Sequence, residues 1–116
     1  MNITKWQSGG FRLPLNCDND KIREIVSTLI KEKNDCFTFN ELCVSFARKA
    51  EEDSLFIKEP NTIYQGELKL DGNTINVILS LVWEMIWNKR LIIDLYRDEY
   101  RSTREGEYTL IKVDTK

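Results

Sequence analysis

The most regular pattern in the chain is a nearly unbroken apolar stretch at residues 73–88, NTINVILSLVWEMIWN. The polar residues inside it recur at every fourth position, at Asn76, Ser80, Glu84 and Asn88. This spacing predicts one narrow polar stripe on an α-helix, because a helix turns about once every 3.6 residues. A helix that is apolar on nearly every other side is predicted to be buried on most sides and to be packed upon by the rest of the chain.

Two shorter amphipathic helices are predicted before this central helix. The first covers about 20–33, where apolar residues recur three and four positions apart, as expected for one buried helix face. The second runs to about residue 52. Its start is marked by Thr38 as the N-cap and Glu41 three residues later, the pattern of a capping box. The central helix is predicted to be capped by Asn73 or Thr74.

Strands are predicted on either side of the central helix. Residues 62–70 alternate between apolar and polar side chains, with Gly66 as a possible bulge. After the central helix, the β-branched run at 91–96 and the apolar run at 107–113 predict a hairpin with a long polar tip. The inserted strand could join this hairpin as a third strand. The predicted fold class is therefore α+β, with three helices and a small antiparallel sheet.

The first seventeen residues are predicted to form an N-terminal arm. Trp6 and Phe11 are its large apolar residues, and the adjacent Gly9 and Gly10 argue against a regular element there. Residues 11–15 alternate and predict either a short edge strand or a tether. Two interpretations stay open for the arm. It either lies over the core of its own chain or reaches a partner or a second subunit.

Composition narrows the range of functions. The chain has 116 residues, which indicates one domain, and its formal net charge of −2 is unlike that of most nonspecific nucleic-acid binders. It has no histidine, and its three cysteines lack CxxC spacing, so neither a zinc site nor a disulfide framework is expected. No apolar run follows Lys5, so no signal peptide is expected, and a cytoplasmic location is predicted. No enzyme activity, cofactor, small-molecule site or membrane contact is predicted.

The order of the predicted elements is helix, short extended piece, helix, long apolar helix and hairpin. Over about 20–113 this order resembles the winged-helix branch of the helix-turn-helix proteins. FTFNEL resembles the entry to the second helix, and ILSLVWEMIWNKRLIIDLYRDEY resembles the third helix running into the wing. Helices two and three are joined by a short turn in the compact form of that family, whereas this chain has an insertion at about 53–72.

The resemblance implies a candidate DNA-binding surface. In DNA-binding winged helices the third helix enters the major groove and reads base edges. The residues at the corresponding positions here are Asn73, Thr74, Asn76 and Ser80. Basic residues that would contact phosphates lie after the helix and on the hairpin tip: Lys89, Arg90, Arg97, Arg101 and Arg104.

A protein-interaction surface is the second candidate. Trp83 and Trp87 are one helical turn apart on the same face, where they are either intrachain core or part of a partner or dimer interface. Trp6 and Phe11 of the arm are further candidates for that interface. Two functions therefore remain open. The first is an interaction module or homodimer in a cytoplasmic assembly, favoured by the acidic balance and by the absence of Lys and Arg from 73–88. The second is a DNA-binding transcriptional regulator.

Overall fold

The computed structural model describes residues 5–8, 11–93 and 109–113. The described elements, in chain order, are β1 (Lys5–Ser8), β2 (Phe11–Leu13), α1 (Asn19–Glu32), β3 (Cys36–Thr38), α2 (Phe39–Glu52), β4 (Thr62–Gln65), β5 (Leu68–Leu70), α3 (Gly72–Trp87), β6 (Leu91–Ile93) and β7 (Thr109–Lys112). The three helices and the small antiparallel sheet, which has three strands, confirm the predicted α+β class.

Side-chain caps set where the helices begin. Thr38 caps α2 as predicted, since its hydroxyl accepts a hydrogen bond of 3.0 Å from the amide of Glu41. The predicted cap of α3 is wrong. Asp71 has the extended backbone of an N-cap, and its carboxylate accepts from the amide of Thr74 at 2.9 Å. Asn73 and Thr74 therefore lie in the first turn of α3, because an N-cap oxygen bonds the amide two or three residues further along.

The antiparallel sheet has the strand order β3–β7–β6. Phe37, Leu110 and Leu91 are buried on its inner face, while Ile92 on β6 points outward and pairs with Ile111. The predicted hairpin is confirmed where β6 meets β7. Its tip, with Arg97, Arg101 and Arg104, lies outside the described residues.

The insertion does not join this sheet, which the sequence had left open. β4 pairs in parallel with β1, and β5 pairs in parallel with β2, so the insertion and the N-terminal arm are held together. The predicted single strand is divided at Gly66, whose φ of 101° is a conformation that glycine adopts readily. Leu68 and Leu70 are buried while Lys69 is exposed, and this alternation fixes the face that β5 turns to the core. The sheet's third strand is instead β3.

The hydrophobic core lies between the three helices and the inner face of the sheet. Its largest fully buried side chains are Phe46, Leu42, Ile78, Leu91, Leu110 and Val26. α3 contributes one buried side to it, formed by Thr74, Ile78, Leu81 and Val82. The prediction that α3 is buried on most sides is therefore wrong. Within the described ranges, no helix is long and apolar enough to cross a membrane.

Candidate protein-interaction surface on the third helix

The side of α3 that faces away from the core carries two neighbouring rows of side chains. In the first row Asn76, Ser80, Glu84 and Asn88 are all exposed, as the spacing predicted. The hydroxyl of Ser80 donates to the carbonyl oxygen of Asn76 at 2.9 Å, a bond within the helix. We call these four residues the polar row.

The second row is apolar and runs beside the polar row. Its members are Ile75, Leu79, Trp83 and Trp87, again four residues apart, so each neighbours the next along a row that runs obliquely across the helix. Exposure rises along it. Ile75 and Leu79 are half-buried, Trp83 is 53% exposed and Trp87 is 87% exposed. We call these residues the apolar ridge, and its C-terminal end is a pair of solvent-exposed indoles.

The N-terminal end of the apolar ridge forms one wall of a groove. α2 and β5 supply the other walls, with Phe39, Val44 and Leu68 among the apolar residues that line it. The volume of about 630 Å³ lies in the range of sites that hold drug-sized molecules. Ile75 and Leu79 line this groove, whereas Trp83 and Trp87 lie beyond it. The ridge therefore has a concave end and a protruding end.

Charged side chains surround the mouth of the groove. Arg12 donates to the carbonyl oxygen of Leu70 at 2.9 Å, and Arg48 forms an ion pair with Glu67 at 3.8 Å. Deeper in the groove, burial raises the pKa of the Cys43 thiol to about 11, a shift that the nearby Arg12 partly opposes. A thiol with this pKa is almost wholly protonated at neutral pH, so Cys43 is a weak nucleophile and a small apolar wall residue.

The polar row has little net positive charge to offer a phosphate. Glu84 carries the only charge of the two rows, and Arg23 of α1 lies 3.2 Å from both of its carboxylate oxygens. This pair links α1 to α3 at the edge of the exposed face. Since α3 contains no Lys or Arg, the face lacks the basic side chains that give DNA binding most of its affinity.

The predicted DNA-contacting residues are only partly brought together. Asn73, Asn76 and Ser80 share the exposed face, but Thr74 is 6% exposed and is turned to the core, so including it in a readout surface was wrong. Lys89 and Arg90 are exposed just after α3. The amide of Lys89 donates to the carbonyl of Ile86 and that of Arg90 to Met85, the two bonds of a Schellman cap.

The predicted interface residues also separate into groups. Trp83 and Trp87 are exposed, so their interpretation as intrachain core is wrong. Phe11 is half-buried and packs edge to face on Tyr64, with ring centroids 5.2 Å apart, so it serves its own chain. Trp6 lies on β1 opposite Ile63, and its side chain is outside the described part of the structure.

Sequence reasoning missed the groove and the apolar ridge. The spacing of Ile75, Leu79, Trp83 and Trp87 was a signal for the ridge, but it was masked because residues on every other side of the helix are apolar as well. The groove could not be predicted, because it depends on the parallel pairing of β2 with β5, which places β5 beside α2 and α3.

Neither a metal site nor a known relative identifies the chemistry of this surface. Across the ranges 5–8, 11–93 and 109–113, no group of three or more His, Cys, Asp or Glu side chains is placed to hold a metal ion. Compared with protein-family models, curated proteins and solved structures, the chain gives no match. The candidate surface must therefore be judged by its own geometry.

Proposed function

We propose that this protein is a non-enzymatic, winged-helix-like interaction module that works in a cytoplasmic assembly. Its binding surface is the exposed face of α3. The observation that carries this proposal is the exposure of Trp83 and Trp87, at 53% and 87%, side by side on one helix. Tryptophan is among the residues most enriched at the energetic centres of protein interfaces.

The arrangement of the two indoles distinguishes them from ordinary exposed apolar residues. Single surface hydrophobes such as Ile57 and Ile63 are common and carry no functional weight. Trp83 and Trp87 instead continue the row of Ile75 and Leu79, which line the groove. A contiguous apolar surface with a polar row beside it has the anatomy of an interface centre and its rim.

In-cell photo-crosslinking tests this proposal. A photo-crosslinking phenylalanine analogue replaces Trp87, and the same analogue replaces Ile57 as the control, because Ile57 is 50% exposed and does not line the groove. We expect discrete protein adducts from position 87 that are absent from position 57. A discrete adduct of about twice the chain mass identifies a second copy, and any other mass identifies a different partner. If position 87 gives no more adducts than position 57, the proposal is wrong.

DNA binding is the second candidate function. The exposed amides of Asn73 and Asn76 support it, because asparagine pairs with adenine in the major groove. Fluorescence anisotropy with mixed-sequence duplex DNA at two salt concentrations tests it. Salt-dependent binding that Asn76→Ala weakens would favour this candidate, and no binding at low salt would count against it.

A further inference from the structure

We propose that the partner of this surface is a second copy of the chain. In the pair, the two α3 helices point in opposite directions and cross at about 50°, so that their oblique apolar ridges lie antiparallel, and Trp87 of each copy enters the groove of the other. This inference rests on the proposed function, since it takes the apolar ridge as a protein-binding surface, and it adds the identity of the partner and the geometry of the contact.

The first argument is that the ridge is complementary to itself. Its concave end, at Ile75 and Leu79, lies about 18 Å along the helix axis from its protruding end at Trp87, at about 1.5 Å per residue. A two-fold axis perpendicular to the ridge, midway between Leu79 and Trp83, reverses the row. It sets Trp87 of each copy opposite Ile75 of the other, and Trp83 opposite Leu79.

The groove has suitable chemistry for an indole. Its apolar walls include Val44 and Leu68, and its volume of about 630 Å³ exceeds what one side chain needs. Arg12 stands at its edge, where a guanidinium can lie over the face of an indole ring and gain a cation–π interaction. On the ridge, the large flat side chains that could fill such a groove are the indoles of its protruding end, Trp83 and Trp87.

The polar row is also compatible with the same two-fold axis. The reversal sets Glu84 of each copy between Asn76 and Ser80 of the other, whose amide and hydroxyl groups donate hydrogen bonds to a carboxylate. The two Glu84 residues are then about 9 Å apart along the axis, so their like charges do not meet. Each Glu84 also keeps Arg23 of its own chain beside it.

The expected area is that of a modest but specific dimer. Since Trp83 is 53% and Trp87 is 87% exposed, the four indoles can remove about 560 Å² from solvent at about 200 Å² for a whole side chain, and the groove walls lose a comparable area. The sum approaches the lower end of standard interfaces, about 1,200 Å², so we expect micromolar affinity. Because the two-fold axis fills both grooves at once, each copy uses its protruding end and its groove in the same contact, so the assembly closes at two copies and does not grow into chains.

Sedimentation velocity from low to several hundred micromolar protein tests this arrangement. We expect the native chain to pass from monomer to dimer. Trp87→Ser removes the protruding end, and Val44→Arg obstructs the groove, so each should weaken association about tenfold or more. Ile57→Ser is the matched control and should leave association unchanged. If Val44→Arg fails to fold, Asn40→Arg obstructs the exposed rim of the same groove.

Mixing the two variants gives a sharper test. A Trp87→Ser chain still has an open groove, and a Val44→Arg chain still has its indole, so the mixed pair keeps one of the two contacts. We expect heterodimers at concentrations where each variant alone is monomeric. Two variants that dimerise no better when mixed than alone would contradict the reciprocal arrangement.

The native Cys43 thiol provides an independent readout inside the groove. At fixed alkaline pH, we expect its alkylation by iodoacetamide to slow several-fold as the protein concentration rises, because the indole of the second copy covers it. Cys17, which does not line the groove, is the internal control, and peptide mapping by mass spectrometry separates the two. The Trp87→Ser chain should lose the concentration dependence.

The outcomes separate this inference from the proposed function. A native chain that stays monomeric throughout, while position 87 still crosslinks to a different protein in cells, overturns the second-copy inference and leaves the proposed function standing. A monomeric chain with no adduct at position 87 overturns both. A dimer that neither Trp87→Ser nor Val44→Arg weakens overturns the antiparallel arrangement.

Discussion

The two ends of the apolar ridge on α3 lie in opposite environments. At its N-terminal end, Ile75 and Leu79 line the groove. At its C-terminal end, Trp83 and Trp87 stand in solvent, although Leu81 and Val82 on the opposite side of the same turns are buried. The difference arises because α2 and β5 form groove walls beside Ile75 and Leu79, and β5 is paired with β2 of the N-terminal arm. Apolar composition alone therefore does not determine burial; the neighbouring elements do.

The largest expected contrast is between a buried and an exposed residue of this helix. Ile78→Ala leaves a cavity in the core and should lower the free energy of unfolding by about 2–5 kcal/mol. Trp87→Ala should change it by less than about 0.5 kcal/mol, because the side chain makes little contact with its own chain. Urea unfolding at low protein concentration measures both. A large loss for Trp87→Ala would mean that the indole belongs to the core.

The next contrast is between the observed and the expected N-cap residue of α3. Asp71→Ala removes the cap and should cost about 1 kcal/mol, because the amide of Thr74 loses its acceptor. Asn73→Ala, at the exposed position first expected to be the cap, should leave stability unchanged or raise it by a few tenths of a kcal/mol, because alanine has the higher helix propensity. Chemical denaturation of the two variants decides between the positions, and equal losses would contradict the assignment of Asp71.

A substitution just after the C-terminal end of α3 is expected to increase stability. Lys89 has a φ of 61°, a left-handed conformation that is unfavourable for a residue with a Cβ atom. Lys89→Gly should therefore raise the free energy of unfolding by roughly 0.5–1 kcal/mol, because Lys89 occupies the position of a Schellman cap at which glycine is most common. Thermal unfolding measures this gain. As a control, Asn88→Gly should not stabilise, because Asn88 has a φ of −82°.

The smallest effect is expected where α1 meets the exposed face. Arg23 and Glu84 are each about half exposed, so their coupling free energy should lie at about 0.2–1 kcal/mol and fall with added salt. A double-mutant cycle with Arg23→Gln and Glu84→Gln measures it. A coupling well above 1 kcal/mol would indicate a pair shielded from solvent.

Local patterns predicted much of the fold. The capping box at Thr38, the periodicity of α1 and the strands of the hairpin each depend on residues close in sequence. The pairing of β1 with β4 and of β2 with β5 was not predictable in the same way, because parallel strands distant in the chain leave no local signature. The groove follows from that pairing. The exposure of Trp83 and Trp87 was left open for the same reason.

Emission from a single indole tests the central claim most directly. Replacing Trp6 and Trp83 with phenylalanine leaves Trp87 as the only tryptophan. If a second copy covers Trp87, its emission should shift to shorter wavelength and resist acrylamide quenching as the protein concentration rises. The midpoint of both changes should fall at the concentration at which sedimentation shows half of the chains to be dimeric. The Val44→Arg substitution should abolish both changes. Emission that stays solvent-exposed at concentrations where this same chain is dimeric would contradict the proposed contact.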